Sequence, residues 1–372
     1  MRKDNTINAF FALVRAGLWE QNVSLSQFGE IDYEDVLRLA EEQSVVGLVS
    51  AGIEHVSDVK IPKDVALQFV GQALQLEQKN KAMNCFIASL IEKMRSAGIY
   101  TLLVKGQGVA RCYERPLWRA CGDIDLFLSD DNYNNAKEVL LPLASELEPE
   151  GKFSKHLGMI IDSWVVELHG SLRMGVPMKI NRELDIIKNE TFYGGDVSSW
   201  TNGSTQIFLL SHENDVVYIF AHFLNHFYKG GIGLRQICDW SRSLWLYRGK
   251  YDLKRIEKHI KSMGLMIEWK AFAAFAFKYL GTPKEAIPFY EDDIKWEHKA
   301  KRIMDFIIMS GNFGHNRDMS YYGKYPYLIR KTKSLGRRIG DLLNHVRIFP
   351  TDTLRFAPSL LFHGLRAAVN GE

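Results

Sequence analysis

At 372 residues, with 46% hydrophobic and 24% charged positions, the chain can fill two or three packed modules, and its composition excludes disorder over most of its length. A formal net charge of +3 is too small to mark the whole chain as a nucleic-acid binder, so overall charge lends nucleic acid no support as a partner. No stretch approaches the roughly 18 apolar residues of a transmembrane segment, and the opening Met1–Asn5 lacks the apolar run of a signal peptide, so the expected location is cytoplasmic.

Residues 1–95 read as helical. Ile7, Phe10, Phe11, Val14 and Leu18 have the spacing of an amphipathic helix, and a second helix starts after Asp32 with Val36, Leu37 and Leu39. Two more are expected over 63–80 and 81–97, with Leu67, Val70 and Leu74 and then Phe86, Leu90 and Met94 at helical intervals. At Gly98 the pattern changes. Ile99–Val104 is a β-rich apolar run that enters a tight turn at Lys105-Gly106. A helix over Gly108–Tyr113 follows, then a strand over Ile124–Leu128. Asp130-Asp131 are placed to cap a helix from Asn132 to about Leu141. Trp164–His169 forms a third strand, closed by Gly170. This alternation predicts an α/β core over 96–200 between an N-terminal helical domain (1–95) and a helical C-terminal domain (201–372). In the last part, helices are expected over Asp215–Tyr228, Leu234–Tyr247, 252–281 and 291–310. The third carries a core-facing aromatic set of Trp269, Phe272, Phe275 and Phe277.

The chemistry concentrates in Gly122-Asp123-Ile124-Asp125-Leu126. Carboxylates one residue apart on a strand point to the same side, a costly arrangement of like charge unless a divalent cation sits between them. In Trp164–His169, alternation sets Val165, Glu167 and His169 on one face. An acid in an otherwise apolar strand needs a partner, and a shared metal would supply one for Glu167. Asp123, Asp125 and Glu167 are therefore the candidate catalytic and metal-ligating residues. The turn Lys105-Gly106-Gln107-Gly108 and Arg119 offer groups for phosphate, although an ion pair with the carboxylates is the structural alternative for Arg119. The arrangement points to metal-dependent chemistry on a nucleotide.

The chain resembles the nucleotidyltransferases of the DNA polymerase β superfamily, and more narrowly an uncharacterised bacterial nucleotidyltransferase family. The resemblance rests on Lys105-Gly106, Tyr113, Pro116, Arg119, Gly122 to Leu126 and Glu167-Leu168-His169, in that order. It implies an α/β (α+β) nucleotidyltransferase core and transfer of NMP from an NTP co-substrate to an unidentified acceptor hydroxyl. It also implies two Mg²⁺ ions on Asp123, Asp125 and Glu167, and nucleotide binding by Lys105, Gly106, Gln107, Arg119, Gly122 and His169. The Gly106-Gln107-Gly108 turn departs from the superfamily's usual Gly-Ser or Gly-Gly, as does its long interval to Asp123. Two alternatives share the fold: a catalytically silent nucleotide- or sugar-binding protein, and a toxin-like enzyme modifying tRNA or protein.

His169 serves either phosphate, metal or proton transfer, or a structural hydrogen bond. His222 and His226, four apart on a helix, read as core or helix-face residues, with metal ligation the alternative; Arg235 and Asp239 read as an intrahelical ion pair, with closure over a bound base or acceptor the alternative. The four cysteines (Cys85, Cys112, Cys121, Cys238) have no CxxC spacing and read as reduced, buried thiols. Residues 323–372 carry nine Lys/Arg against three acids, a basic tail that either meets RNA or an anionic membrane surface or forms a solvated face.

Overall fold

Strand alternation divides the central sheet into an apolar side and a side that carries polar groups. The computed structural model describes residues 2–150, 155–312 and 327–358. Four helices lead in: α1 (Arg2–Trp19), α2 (Tyr33–Glu42), α3 (Val46–Glu54) and α4 (Lys63–Ser96). The α/β region follows, with β1 (Leu102–Val104), α5 (Gly106–Ala110), β2 (Asp123–Phe127), α6 (Asp130–Leu140), β3 (Glu146–Leu147), β4 (His156–Ile161), β5 (Trp164–His169), α7 (Met178–Phe192), β6 (Val197–Asn202) and β7 (Thr205–Leu210). The remainder is helical: α8 (His212–Lys229), α9 (Leu234–Tyr247), α10 (Leu253–Met263), α11 (Met266–Leu280), α12 (Ile294–Ser310), α13 (Tyr327–Ile348) and a last helix over 350–358. Among the described residues no helix is long and apolar enough to cross a membrane.

The seven strands lie in the order β3-β4-β5-β2-β1-β7-β6, making the fold mixed α/β. β2–β5 and β1–β7 are parallel, and the other neighbours are antiparallel. One face of the sheet presents Leu103, Ile124, Leu126, Leu157, Met159, Val166 and Leu168 to the second half of α4 and to α6. The opposite face joins a larger apolar cluster, which runs from Phe10 in α1 through Leu102, Val104 and Phe127 to Phe220 in α8 and Trp269 in α11. Each fully buried side chain of this kind contributes about 1.5–3 kcal/mol relative to exposure. The N-terminal and C-terminal helices share this second core.

Several local expectations change. The two helices expected over 63–97 are one 34-residue helix, because nothing between Asn80 and Lys81 interrupts it. Its buried stripe is Val65, Phe69, Ala73, Asn80, Met83 and Ile87, so Leu67 (71% exposed), Val70 and Leu74 face solvent. The helix expected over 252–281 breaks where Gly264 adopts a left-handed conformation, which ends α10. Phe277 turns partly outward while Trp269, Phe272 and Phe275 are buried. The α6 cap is Ser129, whose Oγ accepts from the Asn132 N–H at 3.3 Å, with Asp130 and Asp131 in the first turn. The first strand shortens to Leu102–Val104, and the following helix starts at Gly106. Beyond the expected elements the structure adds α3, α7 and the strands β3, β4, β6 and β7. The cysteines are free thiols, and Cys85 is exposed. In the basic tail, residues 323–326 and 359–372 lie outside the described residues.

One buried acid makes the fold sensitive to pH. Glu268 on α11 is fully buried; its Oε1 accepts from the Tyr228 hydroxyl at 3.3 Å and makes a longer ion-pair contact of 3.7 Å with Arg355 Nη2. Burial, reinforced by the Asp352 charge, pushes its carboxyl up to about 8. The folded chain thus holds this proton more tightly than the unfolded chain does, and stability is lost as pH rises through that value. Chemical denaturation should show the unfolding free energy of the wild type falling between the ordinary 4.5 and about 8, and Glu268→Gln should flatten that slope. An unchanged slope in the variant would count against the assignment.

Candidate active site

The register of three strands assembles the polar face. β2 and β5 pair in parallel with Asp125 opposite Glu167, and β4 and β5 pair antiparallel with His156 opposite His169. Ile124, Leu126, Val166 and Leu168 go to the α4 side, so Asp123, Asp125, Glu167 and His169 share the other face. One oxygen from each of Asp123, Asp125 and Glu167 lies within 4.8 Å of the others, a spacing able to hold a metal ion.

Asp125, only 1% exposed, is the innermost acid. Its Oδ1 lies 2.7 Å from Lys105 Nζ and 2.8 Å from His169 Nε2. Burial opposes its ionisation, but the Lys105 charge and the His169 hydrogen bond outweigh burial and hold the carboxyl below its usual range. Asp123 shifts upward, chiefly because Asp125 is charged beside it and then because it is buried. Glu167 Oε2 accepts from His156 Nε2 at 3.0 Å and approaches His169 Nε2 at 3.3 Å. Burial again opposes charge, yet those two contacts hold Glu167 far below the ordinary carboxylate range. For His169 the burial penalty is outweighed by Asp125 and Glu167, which raise its pKa. Three carboxylates against the Lys105 ammonium and the Arg235 guanidinium leave the face net negative before the histidines are counted. Hard oxygen ligands with that excess suit a divalent cation of the Mg²⁺ class.

Lys105 reaches Asp125 through an unusual backbone. Val104 and Leu102 face the site side, so simple alternation would send Lys105 to the α4 side. Its φ of 58° and ψ of −146° re-aim the side chain toward Asp125. A non-glycine residue held there is strained, as residues at functional turns often are. Gly106 continues the turn at φ +44°, where an added Cβ would lie 3.3 Å from Cys121 Sγ and 3.4 Å from the Asp123 carbonyl. The turn is therefore pressed against the head of β2.

α8 covers the face with residues expected to be simple core or surface groups. His222 Nε2 is 3.3 Å from Lys105 Nζ, and His226 Nε2 is 3.4 Å from His222 Nε2. Burial, then the Lys105 charge, lowers both pKa values, that of His226 to about 3, so both are neutral at physiological pH. A neutral His222 can accept from the Lys105 ammonium. Tyr218 joins them, its hydroxyl pushed up to about 12 by burial.

Other expected nucleotide-binding residues have different partners. Gln107 is buried, and its Nε2 donates to Asn80 Oδ1 at 2.7 Å. Asn80 Nδ2 in turn donates to the carbonyls of Leu117 and Arg119 at 2.7 and 2.8 Å. Arg119 is directed away from the carboxylate cluster and forms a two-pronged pair with Asp239, at 3.0 Å from Nε and 2.6 Å from Nη2. Tyr113 donates to the same Asp239 at 2.7 Å. The intrahelical Arg235–Asp239 pair is thus replaced by a contact between Asp239 and the motif segment. Arg235 instead donates from Nη1 to the Ala120 carbonyl at 2.8 Å, with its buried Nε unpartnered. Its charge reaches Asp123. Gly122 is exposed, with nothing within 4 Å of an added Cβ.

His156 joins the site without being among the expected residues, although a local signal marks its strand. Leu157, Met159 and Ile161 alternate apolar positions, and Asp162-Ser163, both at positive φ, make the two-residue turn into β5. No sequence signal places Tyr218, His222 or Arg235 over the strands, because their approach depends on how α8 and α9 pack.

Residues 29–281 match the model of a family described as uncharacterised nucleotidyltransferase. No curated protein sequence matches the chain. Among solved structures, the chain is similar to an antigenic nucleotidyltransferase-like protein from Paracoccidioides brasiliensis, at 12% identity and a TM-score of 0.33, over 53% of this chain and 92% of that one.

Because Arg119 and Asp239 are both buried, removing one leaves an uncompensated charge, at a cost of about 3–5 kcal/mol. Asp239→Ala should lower the unfolding free energy by that amount in denaturant titration, although residue 239 lies far along the chain from the Asp123–Asp125 strand. A change below about 1 kcal/mol would mean that the pair is not structural.

Proposed function

Since the chain belongs to the uncharacterised nucleotidyltransferase family, we propose that it transfers NMP from an NTP to an acceptor hydroxyl in a Mg²⁺-dependent reaction. The observation that carries this reading is the convergence of Asp123, Asp125 and Glu167 on one sheet face beneath α8. In the reaction, Asp123 and Asp125 would hold the cation, and Glu167 would complete its set of oxygen ligands. Bound there, the ions supply charge neutralisation for the phosphates and a more acidic acceptor hydroxyl.

The chain's own residues set the rest. Lys105, kept protonated because Asp125 outweighs its burial, supplies a fixed positive charge at the inner wall. Gly106 and Gln107 act through the backbone of the turn, since the Gln107 side chain is held by Asn80. Gly122 leaves room next to Asp123 for a phosphate. Arg235, with an unpartnered Nε and its charge reaching Asp123, takes the phosphate-facing role for which Arg119 is less suited. Arg119 positions the segment that enters β2. His169 orients Asp125 and Glu167.

A second reading, a catalytically silent nucleotide- or sugar-binding protein, draws on the Lys105–Asp125 pair, which neutralises the innermost acid without a metal. Incubating the chain with each of the four labelled NTPs, Mg²⁺ and a cell extract separates the two. Transfer predicts a labelled component and released pyrophosphate, both lost in Asp123→Asn while its circular dichroism stays that of the wild type. Full labelling by Asp123→Asn would refute the site assignment. Nucleotide binding without pyrophosphate release would favour the silent protein.

A further inference from the structure

The flank of the polar face on β4 has a different donor set. His156 and His169 are cross-strand partners, and Glu167 lies two residues before His169 on the same face. The strand register thus gathers two imidazoles and a carboxylate into one patch. Both Nε2 atoms point at the same oxygen: Glu167 Oε2 is 3.0 Å from His156 and 3.3 Å from His169. The rings are 4.8 Å apart between centroids, and one donor atom of each residue lies within 4.8 Å of the other two.

These separations are close to those of ligands around a single small ion. Donors bound at about 2.0–2.2 Å in a tetrahedron lie roughly 3.3–3.6 Å from one another. The side chains of His156, Glu167 and His169 are 30%, 25% and 13% exposed, so an ion can enter and water can complete its shell. Two nitrogen donors matter for selectivity. Mg²⁺ favours oxygen ligands and retains its waters, whereas imidazole suits transition ions, and two histidines with one glutamate make a known type of open zinc site.

We propose that His156, His169 and Glu167 form a second cation position, selective for a transition ion of the Zn²⁺ class. It shares Glu167 with the all-oxygen set of Asp123 and Asp125. As ligands the two Nε2 atoms carry no proton, so any proton they hold in the hydrogen bonds to Glu167 and Asp125 leaves when the ion enters. Asp125 retains Lys105 as its partner. A filled site fixes Glu167 and lends positive charge to the acidic face, but it does not depend on nucleotidyl transfer.

The test uses the full-length chain stripped of metal by a chelator, with Co²⁺ as a coloured substitute for Zn²⁺ and Mg²⁺ in excess. The wild type should bind one Co²⁺ per chain, with a visible absorption band. His156→Gln, which can still hydrogen-bond to Glu167, should weaken that binding at least about tenfold, and Asp123→Asn should change it by less than about twofold. Equal Co²⁺ affinity in wild type and His156→Gln, or no saturable Co²⁺ uptake by the wild type, overturns the proposal. A readout free of variants is the proton NMR spectrum of the wild type. Co²⁺ should broaden two imidazole spin systems at one equivalent, and an unperturbed histidine region would overturn the site. A chain that binds Co²⁺ in this way yet transfers no nucleotide supports this site and counts against the transfer reading, so the two claims fail separately.

Discussion

Like-charge repulsion on neighbouring strands is the constraint around which the molecule is organised. Asp123, Asp125 and Glu167 are brought together by strand register, and nothing about two parallel strands favours placing acids side by side. Their ionised forms are retained by specific neighbours: Lys105 and His169 on Asp125, and His156 and His169 on Glu167. Asp123, the outer acid, has less help, and its carboxyl shifts upward. The strained backbone at Lys105 belongs to the same problem, because only a departure from strand alternation brings its ammonium to the buried Asp125. Neutral His222 above Lys105 accepts from the ammonium without adding a competing positive charge.

The helices at both ends of the chain serve the segment between β1 and β2. From the N-terminal side, Asn80 on α4 bonds to the carbonyls of Leu117 and Arg119. Gly47 on α3 lies so close to Trp118 that a Cβ there would fall 1.9 Å from the Trp118 carbonyl oxygen. From the C-terminal side, Asp239 on α9 holds Arg119 and Tyr113. The segment that delivers Asp123 is therefore fixed by Asn80 and Gly47, well before it in the chain, and by Asp239, far after it. Conformational freedom there would weaken any site that depends on carboxylate placement within fractions of an ångström.

The legible parts of this structure were those governed by local periodicity. Period-two alternation in Asp123–Phe127 and Trp164–His169 was enough to place Asp123, Asp125, Glu167 and His169 on one face, and helical periodicity marked Leu234–Tyr247 to the residue. Periodicity could not choose between the two sides of α4, where Leu67, Val70 and Leu74 mimic a buried stripe while Val65, Phe69 and Ala73 make the contacts. The partner of Asp239 was similarly hidden: spacing suggested Arg235, but tertiary packing presents the fork of Arg119. The β4–β5 hairpin went unread because Asp162-Ser163 is a weaker turn signal than Asn-Gly, and His156 was lost with it.

The central claim is that the uncompensated negative charge of this face exists to bind a divalent cation. The direct measurement is the thermal unfolding midpoint of chelator-treated protein as Mg²⁺ or Mn²⁺ is titrated in, for the wild type and for Asp125→Asn. A ligand bound only by the folded chain stabilises it by RT ln(1 + [L]/Kd), about 2.7 kcal/mol at a hundred times Kd. The account predicts a saturable rise in the wild-type midpoint that Asp125→Asn abolishes. A midpoint that does not respond to either ion, or one that rises equally in the variant, would contradict it.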